Sequence, residues 1–209
     1  MSALVDPGLF GLFLVASVII YVTPGPDMLY VLAHALSMGT RIGIVASLGM
    51  AMGMVVHTTA AVLGVAALLR SVPWTYDVIR YAGGAYLLYI GIRTWLSSRA
   101  EQQLTQAEKI PTRRVLWRAT ATNLMNPKII LFYIAFLPQF VRPSLGHTTT
   151  QFLVLGTIFV ILGLIADVAV ALLGGRVNTL LLKRKSAQVV INRVAAAVFV
   201  GLAVRLVVP

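Results

Sequence analysis

The sequence predicts an all-α membrane protein, a polytopic transmembrane bundle of six hydrophobic segments, and three observations carry that expectation. Of its 209 residues, 59% are hydrophobic and 11% charged, where soluble domains carry roughly a quarter charged residues; mean hydropathy is +0.90. Several apolar runs reach the roughly 20 residues that cross a ~30 Å hydrocarbon core. The first run, moreover, is interrupted in its middle by Thr23-Pro24-Gly25-Pro26-Asp27. Two prolines and a glycine remove backbone donors and break the helical ladder. In a bilayer such a break is tolerated only where the freed groups face protein or a water-lined cavity.

Taken in order, the segments fall at about 8–36, 42–69, 73–96, 118–141, 149–174 and 186–208. Segment 1 is long enough for two half-helices flanking the Pro-Gly-Pro break. Segment 2 carries Gly49-x-x-x-Gly53, and segment 3 carries Gly83-Gly84 and Gly91; small residues at such spacing let helix backbones approach closely. Segment 4 has a second interruption, Asn126-Pro127-Lys128. Segments 5 and 6 are continuous. The longest connection, about 97–117, is polar and divides one transporter-sized domain, 1–209, into halves of about 1–97 and 117–209. With three segments per half, the second half starts on the opposite side of the membrane, so a 3+3 inverted repeat with broken segments 1 and 4 is the expected architecture.

Sidedness follows from Lys and Arg. The connections 1–2, 3–4 and 5–6, with their flanks, hold Arg41; Arg93, Arg99, Lys109, Arg113, Arg114 and Arg118; and Arg176, Lys183, Arg184, Lys185 and Arg193. The other face holds Arg70, Arg80, Arg142 and Arg205. The positive-inside rule puts the basic connections in the cytoplasm and both termini outside. It also explains the net charge of +11 without nucleic acid, since the basic residues lie in short loops and not along an aromatic-interleaved face. No basic n-region precedes segment 1, so a cleavable signal peptide is not expected.

The six acidic residues can be weighed singly. Asp6, Glu101 and Glu108 lie in a tail or loop and read as solvated, and Asp77 sits at a pairing distance from Arg80. Asp27 and Asp167 fall inside apolar segments, where charge is expensive and functional by default. Measured from the cytoplasmic ends at 1.5 Å per residue, Asp167 lies roughly 10–12 Å deep, Lys128 roughly 15 Å, Asp27 roughly 18 Å and His57 roughly 22 Å. All four therefore belong to one inner region. Asp27 is read either as an N-cap of the restarting helix or as the group that meets a substrate ammonium or carries a coupled proton. Lys128 either neutralises an aspartate or meets a substrate carboxylate. Asp167, with no local partner, suits proton coupling. His57 reads as a bundle histidine first and a proton relay second. The half-helix beginning near Asp27 offers N–H groups to an anion, and together these groups suit a small zwitterion.

These residues resemble the lysine exporter superfamily, and within it the homoserine/threonine-resistance branch of amino-acid efflux proteins. The resemblance is carried by Tyr21-Val22-Thr23-Pro24-Gly25-Pro26-Asp27-Met28, by Gly49-Met50-Ala51-Met52-Gly53 with His57 following, by Tyr81-Ala82-Gly83-Gly84-Ala85-Tyr86-Leu87, and by Asn123-Leu124-Met125-Asn126-Pro127-Lys128 with Phe132 and Pro138-Gln139-Phe140 beyond. Asp167 fits as the acidic residue of segment 5. The resemblance implies a bacterial inner-membrane secondary transporter that exports amino acids or similar metabolites using the proton gradient. Carried over by position, it makes Pro24, Gly25, Pro26, Asp27, Asn126, Pro127 and Lys128 the substrate-site candidates, which Thr23 joins as part of the first break; the proton-coupling candidates remain those read from burial, Asp27, Asp167 and His57. The partners are then an amino acid, protons and lipid, with no cofactor and no nucleic acid; six short segments also make a thin wall, compatible with a homo-oligomer.

Two other classes compete. A passive channel or facilitator would use the proline breaks only as kinks and would not need Asp27 or Asp167. An intramembrane aspartyl enzyme would pair the two carboxyls around one proton, but neither lies in a Gly-x-Gly-Asp context. Ser47 and His57 are too far apart for a serine hydrolase, His34, His57 and His147 are scattered, and cysteine is absent, so no metal site is expected. A transporter, not an enzyme, is the reading the sequence favours.

Overall fold

A computed structural model describes residues 5–65, 107–174 and 185–207, together with isolated positions between 81 and 96. Most of segment 3, the pair Asp77 and Arg80, and Glu101 lie outside the described residues. Among those described, the chain is helical and contains no strand. The helices are α1 (Pro7–Val22), α2 (Pro26–Met38), α3 (Thr40–Ala60), α4 (Thr112–Leu124), α5 (Pro127–Leu131), α6 (Thr148–Leu172) and α7 (Lys185–Val207). α3 runs on through a π-helical turn, Ala61–Val65; α5 runs on through another, Phe132–Phe136, and a 3-10 turn, Leu137–Phe140.

Both expected interruptions are present. α1 and α2 meet at a bend of 51° across the Pro-Gly-Pro break, and two residues separate the end of α4 from Pro127, which restarts the chain as α5. Thr40–Gly64 and Thr148–Leu172 are each 25 residues long, about 37 Å of helix and enough to cross a bilayer. Segment 4 differs from expectation at its start. α4 begins at Thr112 and is amphipathic: Val115, Ala119, Thr120 and Asn123 are buried, while Arg113, Arg114 and Arg118 are exposed. Pattern wins over mean hydropathy here, because one apolar face against α3 is enough to hold a helix whose other face is charged.

α3 is the hub, packing against α2, α4 and α6. Its small residues explain how. A β carbon on Gly49 would lie 2.4 Å from the Leu116 carbonyl oxygen, and Thr120 Oγ1 donates to the Gly49 carbonyl at 3.0 Å. The Gly49-x-x-x-Gly53 pattern therefore seats α4 directly on the α3 backbone. α2 turns into α3 through Gly39 alone, at φ 92°, a conformation that favours glycine. One core cluster stacks aromatic rings from α1, α5 and α6: Phe13, Phe132, Phe136, Phe140 and Phe159, with Phe132 and Phe159 3.6 Å apart between centroids. A second joins Val31, Ala35, Ala46, Met50, Ile110, Val115, Ala119 and Ala171 at the end where α2, α4 and α6 meet the 107–111 segment.

The opposite end is closed by polar contacts. Asp6 caps α1, accepting from the Gly8 and Leu9 N–H groups at 2.9 and 3.1 Å, and pairs with Arg142 at 3.3 Å. It is thus a structural cap and not the solvated tail residue expected. Glu108, in contrast, is exposed as expected and sits 3.7 Å from Arg118. Gln151, fully buried, accepts from the Arg142 N–H and donates to the Arg142 and Gly146 carbonyls, which fixes the turn before α6.

Candidate functional site

Pro24 determines the chemistry of the first break. In a continuous helix the Ile20 carbonyl would accept from the N–H of residue 24, and proline has none. Thr23 folds back on the turn before it, donating from both N–H and Oγ1 to the Ile19 carbonyl at 3.0 and 2.7 Å. The Ile20 and Thr23 carbonyls are taken instead by a side chain from the other half of the chain: Lys128 Nζ lies 3.2 Å from the first and 3.3 Å from the second. Gly25 makes this approach available, since a β carbon there would sit 2.9 Å from the same nitrogen. On the far side of the break α2 begins with Gly25 at its N-cap, which has no side chain to offer the first-turn N–H groups.

The second break repeats the logic. Pro127 removes the donor for the Asn123 carbonyl, and the Asn126 N–H supplies one at 3.0 Å. Asn126 then caps α5, its Oδ1 accepting from the Lys128 N–H at 3.0 Å. The Asn126 side-chain amide faces Asp27 without closing a hydrogen bond to it.

Asp27 is buried in the first turn of α2. It does not cap that helix, contrary to one of the two readings of the sequence, because Gly25 holds the cap position and the carboxylate turns away from the backbone. Asn123 Nδ2 donates to Asp27 Oδ2 at 3.1 Å, and Oδ1 is buried without a partner. Asp167, from α6, is buried and makes no hydrogen bond or ion pair among the described residues, but interacts electrostatically with both Asp27 and Lys128. Of the two readings of Lys128, a direct ion pair with an aspartate is not formed among the described residues; its Nζ serves the α1 carbonyls. His57 stacks on Tyr133 at 5.5 Å and faces the Asn123 backbone carbonyl, its Nε2 buried and unpartnered. The four inner charged or titratable residues therefore come together, from α2, α3, α5 and α6.

Two contributors escaped the sequence reading. Asn123 stands in the quoted motif but was not assigned to the site; its position four residues before Pro127, on the buried face of α4, is the signal that marks it. Gly53 is the second. A β carbon there would meet Asn123 Oδ1 at 2.6 Å, so its packing role and its support of the site are one. Tyr21 completes the wall, donating to the Phe159 carbonyl at 2.8 Å, with Gly163 leaving the space for its hydroxyl. Buried amide, carboxylate and imidazole atoms without partners, Asp27 Oδ1, Asn123 Oδ1, Asn126 Nδ2 and His57 Nε2, cluster here. Buried polar groups are normally satisfied, and orphaned ones gathered between two helix breaks are what a polar ligand would complete. Among the described residues no group of His, Asp and Glu is placed to hold a metal ion.

A membrane-spanning helical bundle with two opposed broken helices and buried charge between them defines a solute translocator. The chain belongs to the LysE type translocator family, whose model matches residues 18–209. It is similar to a leucine efflux protein of Salmonella choleraesuis, 31% identical over 93% of this chain and 92% of that one, and to a leucine efflux protein of Enterobacter sp., 31% identical over 94% of each. An uncharacterized membrane protein of Pseudomonas aeruginosa is also 31% identical, over 94% of each chain. No solved structure matches the chain. The family is one of translocators, so the enzyme reading is set aside and the protein is a multi-pass membrane transporter.

Proposed function

We propose that this protein is a secondary exporter of neutral aliphatic amino acids, leucine among them, driven by inward movement of protons across a bacterial inner membrane. The substrate site is the space between the two breaks, walled by Thr23, Pro24, Gly25, Pro26, Asp27, Asn126 and Pro127, with Lys128 lying across the first break beside it. One observation carries the reading: the two breaks close on each other, leaving Asp27 Oδ1 and Asn126 Nδ2 buried and unpartnered in the gap. A zwitterion supplies what is missing, an ammonium for Asp27 and a carboxylate for the uncapped first turn of α2. The positive charge of Lys128 disfavours cationic side chains, and the names of the Salmonella and Enterobacter relatives support an aliphatic one.

Asp27 and Asp167 are the proton-coupling residues in this reading, with His57 alongside, because a buried carboxyl crosses between states most readily as its neutral acid. Transport then alternates access by rocking one three-segment half, about 1–97, against the other, about 117–209, around the breaks. The basic connections lie in the cytoplasm and both termini outside.

The test is amino-acid flux in liposomes of known protein orientation, with and without an imposed pH gradient, for wild type, Asp27→Asn and Asp167→Asn. The expected result is uphill leucine movement against the proton flow, abolished in at least one variant while the fold persists. Downhill flux indifferent to pH and to both substitutions would instead identify a facilitator.

A further inference from the structure

We propose that Lys128 is a positioning residue which fixes the bend between α1 and α2, and that it does so without touching the substrate. This deepens the reading just given and rests on it for the substrate arm of the test only. An ammonium has three donors and no acceptor; two of them are directed at the Ile20 and Thr23 carbonyls. Those carbonyls have lost their helical donors to Pro24 and to the break itself. A backbone acceptor left open at membrane depth is costly, so the cation's first task is to terminate α1. A positive charge at a helix C-terminus is also favourable to the local dipole.

Gly25 supports the assignment independently. The atoms that a β carbon at Gly25 would meet all belong to Lys128: Nζ at 2.9 Å, Cε at 3.4 Å and Cδ at 3.9 Å. The glycine thus matches this one side chain lying across the break. Since Lys128 rises from the first turn of α5, directly after the second break, the geometry ties the angle of the first break to the placement of the second. The first-turn N–H groups of α2, which begin at Asp27, four residues beyond the clamped Thr23 carbonyl, are aimed by this contact. Two of the three ammonium donors are spent on these carbonyls, so a substrate carboxylate has only the third to engage, and the comparison with a ligand that lacks the carboxylate decides whether it does.

The chain has no cysteine, which permits a distance measurement at introduced sites. Val15→Cys on α1 and Leu36→Cys on α2, both exposed, carry nitroxide labels in purified, bilayer-reconstituted full-length protein, and pulsed electron resonance reads the distance across the bend. Wild type is expected to give one narrow distribution. Lys128→Met and Gly25→Ala are each expected to broaden or shift it, and Lys128→Arg to restore most of it. In parallel, binding of leucine and of leucinamide, which lacks the carboxylate, is measured on the same variants. The expected result is that Lys128→Met weakens both ligands by the same factor, tenfold or more. A loss confined to leucine, with leucinamide and the distance unchanged, overturns the proposal and makes Lys128 a carboxylate ligand. If wild type binds neither ligand, the substrate reading fails, while the distances still decide the positioning role. Should Lys128→Met not fold, Lys128→Gln and Gly25→Ala carry the test, and a wild-type distribution in both overturns it.

Discussion

Asn123 donates its side-chain amide to Asp27 Oδ2 at 3.1 Å, joining the last turn of α4 to the first turn of α2 inside the membrane. Both residues are buried, so the bond is a direct link between two side chains of the two half-chains at the point where their helices break. Asn123→Leu would leave Asp27 without a hydrogen bond, at a cost of about 1–3 kcal/mol for the orphaned buried group. The single substitution is therefore expected to lower the melting temperature in detergent. Combined with Asp27→Leu, it should cost clearly less than the sum of the two single changes. Additive losses would mean that the contact contributes nothing to stability.

Gly53 and Gly49 sit one turn apart on α3 and face α4, but they meet different obstacles. A β carbon at Gly53 runs into the Asn123 side chain, whereas one at Gly49 runs into the Leu116 backbone. Backbone cannot step aside as a side chain can. Gly49→Ala should accordingly be the more destabilising, with overpacking of this kind costing about 1–3 kcal/mol. Gly53→Ala should be milder in stability and more damaging to transport, because what it displaces is the partner of Asp27. Gly11→Ala is the control: nothing lies within 4 Å of its β position, and its melting temperature should stay at or above wild type. Thermal unfolding and flux of the three variants rank them.

Thr58 and Tyr133 give a prediction about direction. Thr58 Oγ1 donates to the Met54 carbonyl at 2.9 Å, and its single proton is then committed, so the Tyr133 hydroxyl 2.8 Å away must donate to it. Tyr133→Phe removes one hydrogen bond, worth about 0.5–1.5 kcal/mol, and keeps the ring that stacks on His57. Gly156→Ala presses a methyl to 2.5 Å from Thr58 Cγ2 and should lower the melting temperature further than Tyr133→Phe does. The reverse order would show that this α3–α6 contact relaxes freely.

Much of this arrangement was legible in the sequence, for a local reason. Proline removes a donor wherever it stands, so Pro24, Pro26 and Pro127 mark the breaks without any knowledge of neighbours. Burial of Asp27 and Asp167 followed from their apolar surroundings, and the depths of Asp27, His57, Lys128 and Asp167 were enough to put them in one layer. Partner choice was not legible. For Lys128 the sequence suggests an aspartate or a substrate carboxylate as partner, since opposite charges attract at any separation; the contacts the structure shows are to carbonyls that exist as acceptors only because a helix ends there. Of the two readings of Asp27, the cap follows from its place after Pro26, yet Gly25 takes that position and Asn123, 96 residues away, takes the carboxylate. Asp6 divides between the two cases: its cap on α1 is local, an aspartate directly before Pro7, and was there to be seen, whereas its ion pair with Arg142 joins the start of α1 to the turn before α6, a contact that no local pattern encodes.

Asp6 also separates two kinds of contribution at one side chain. Its carboxylate caps α1 and pairs with an Arg142 side chain that is half exposed. Exposed ion pairs contribute about 0–1 kcal/mol, while loss of a capping side chain costs about 0.5–2 kcal/mol. Asn caps a helix as well as Asp does but carries no charge. Asp6→Asn and Arg142→Ala should therefore have similar, small effects on the melting temperature, and Asp6→Ala a clearly larger one. The difference should survive in high salt, which screens the pair and leaves the cap intact. Equal losses for Asp6→Asn and Asp6→Ala would assign the contribution to the charge, and the salt series would then erase it.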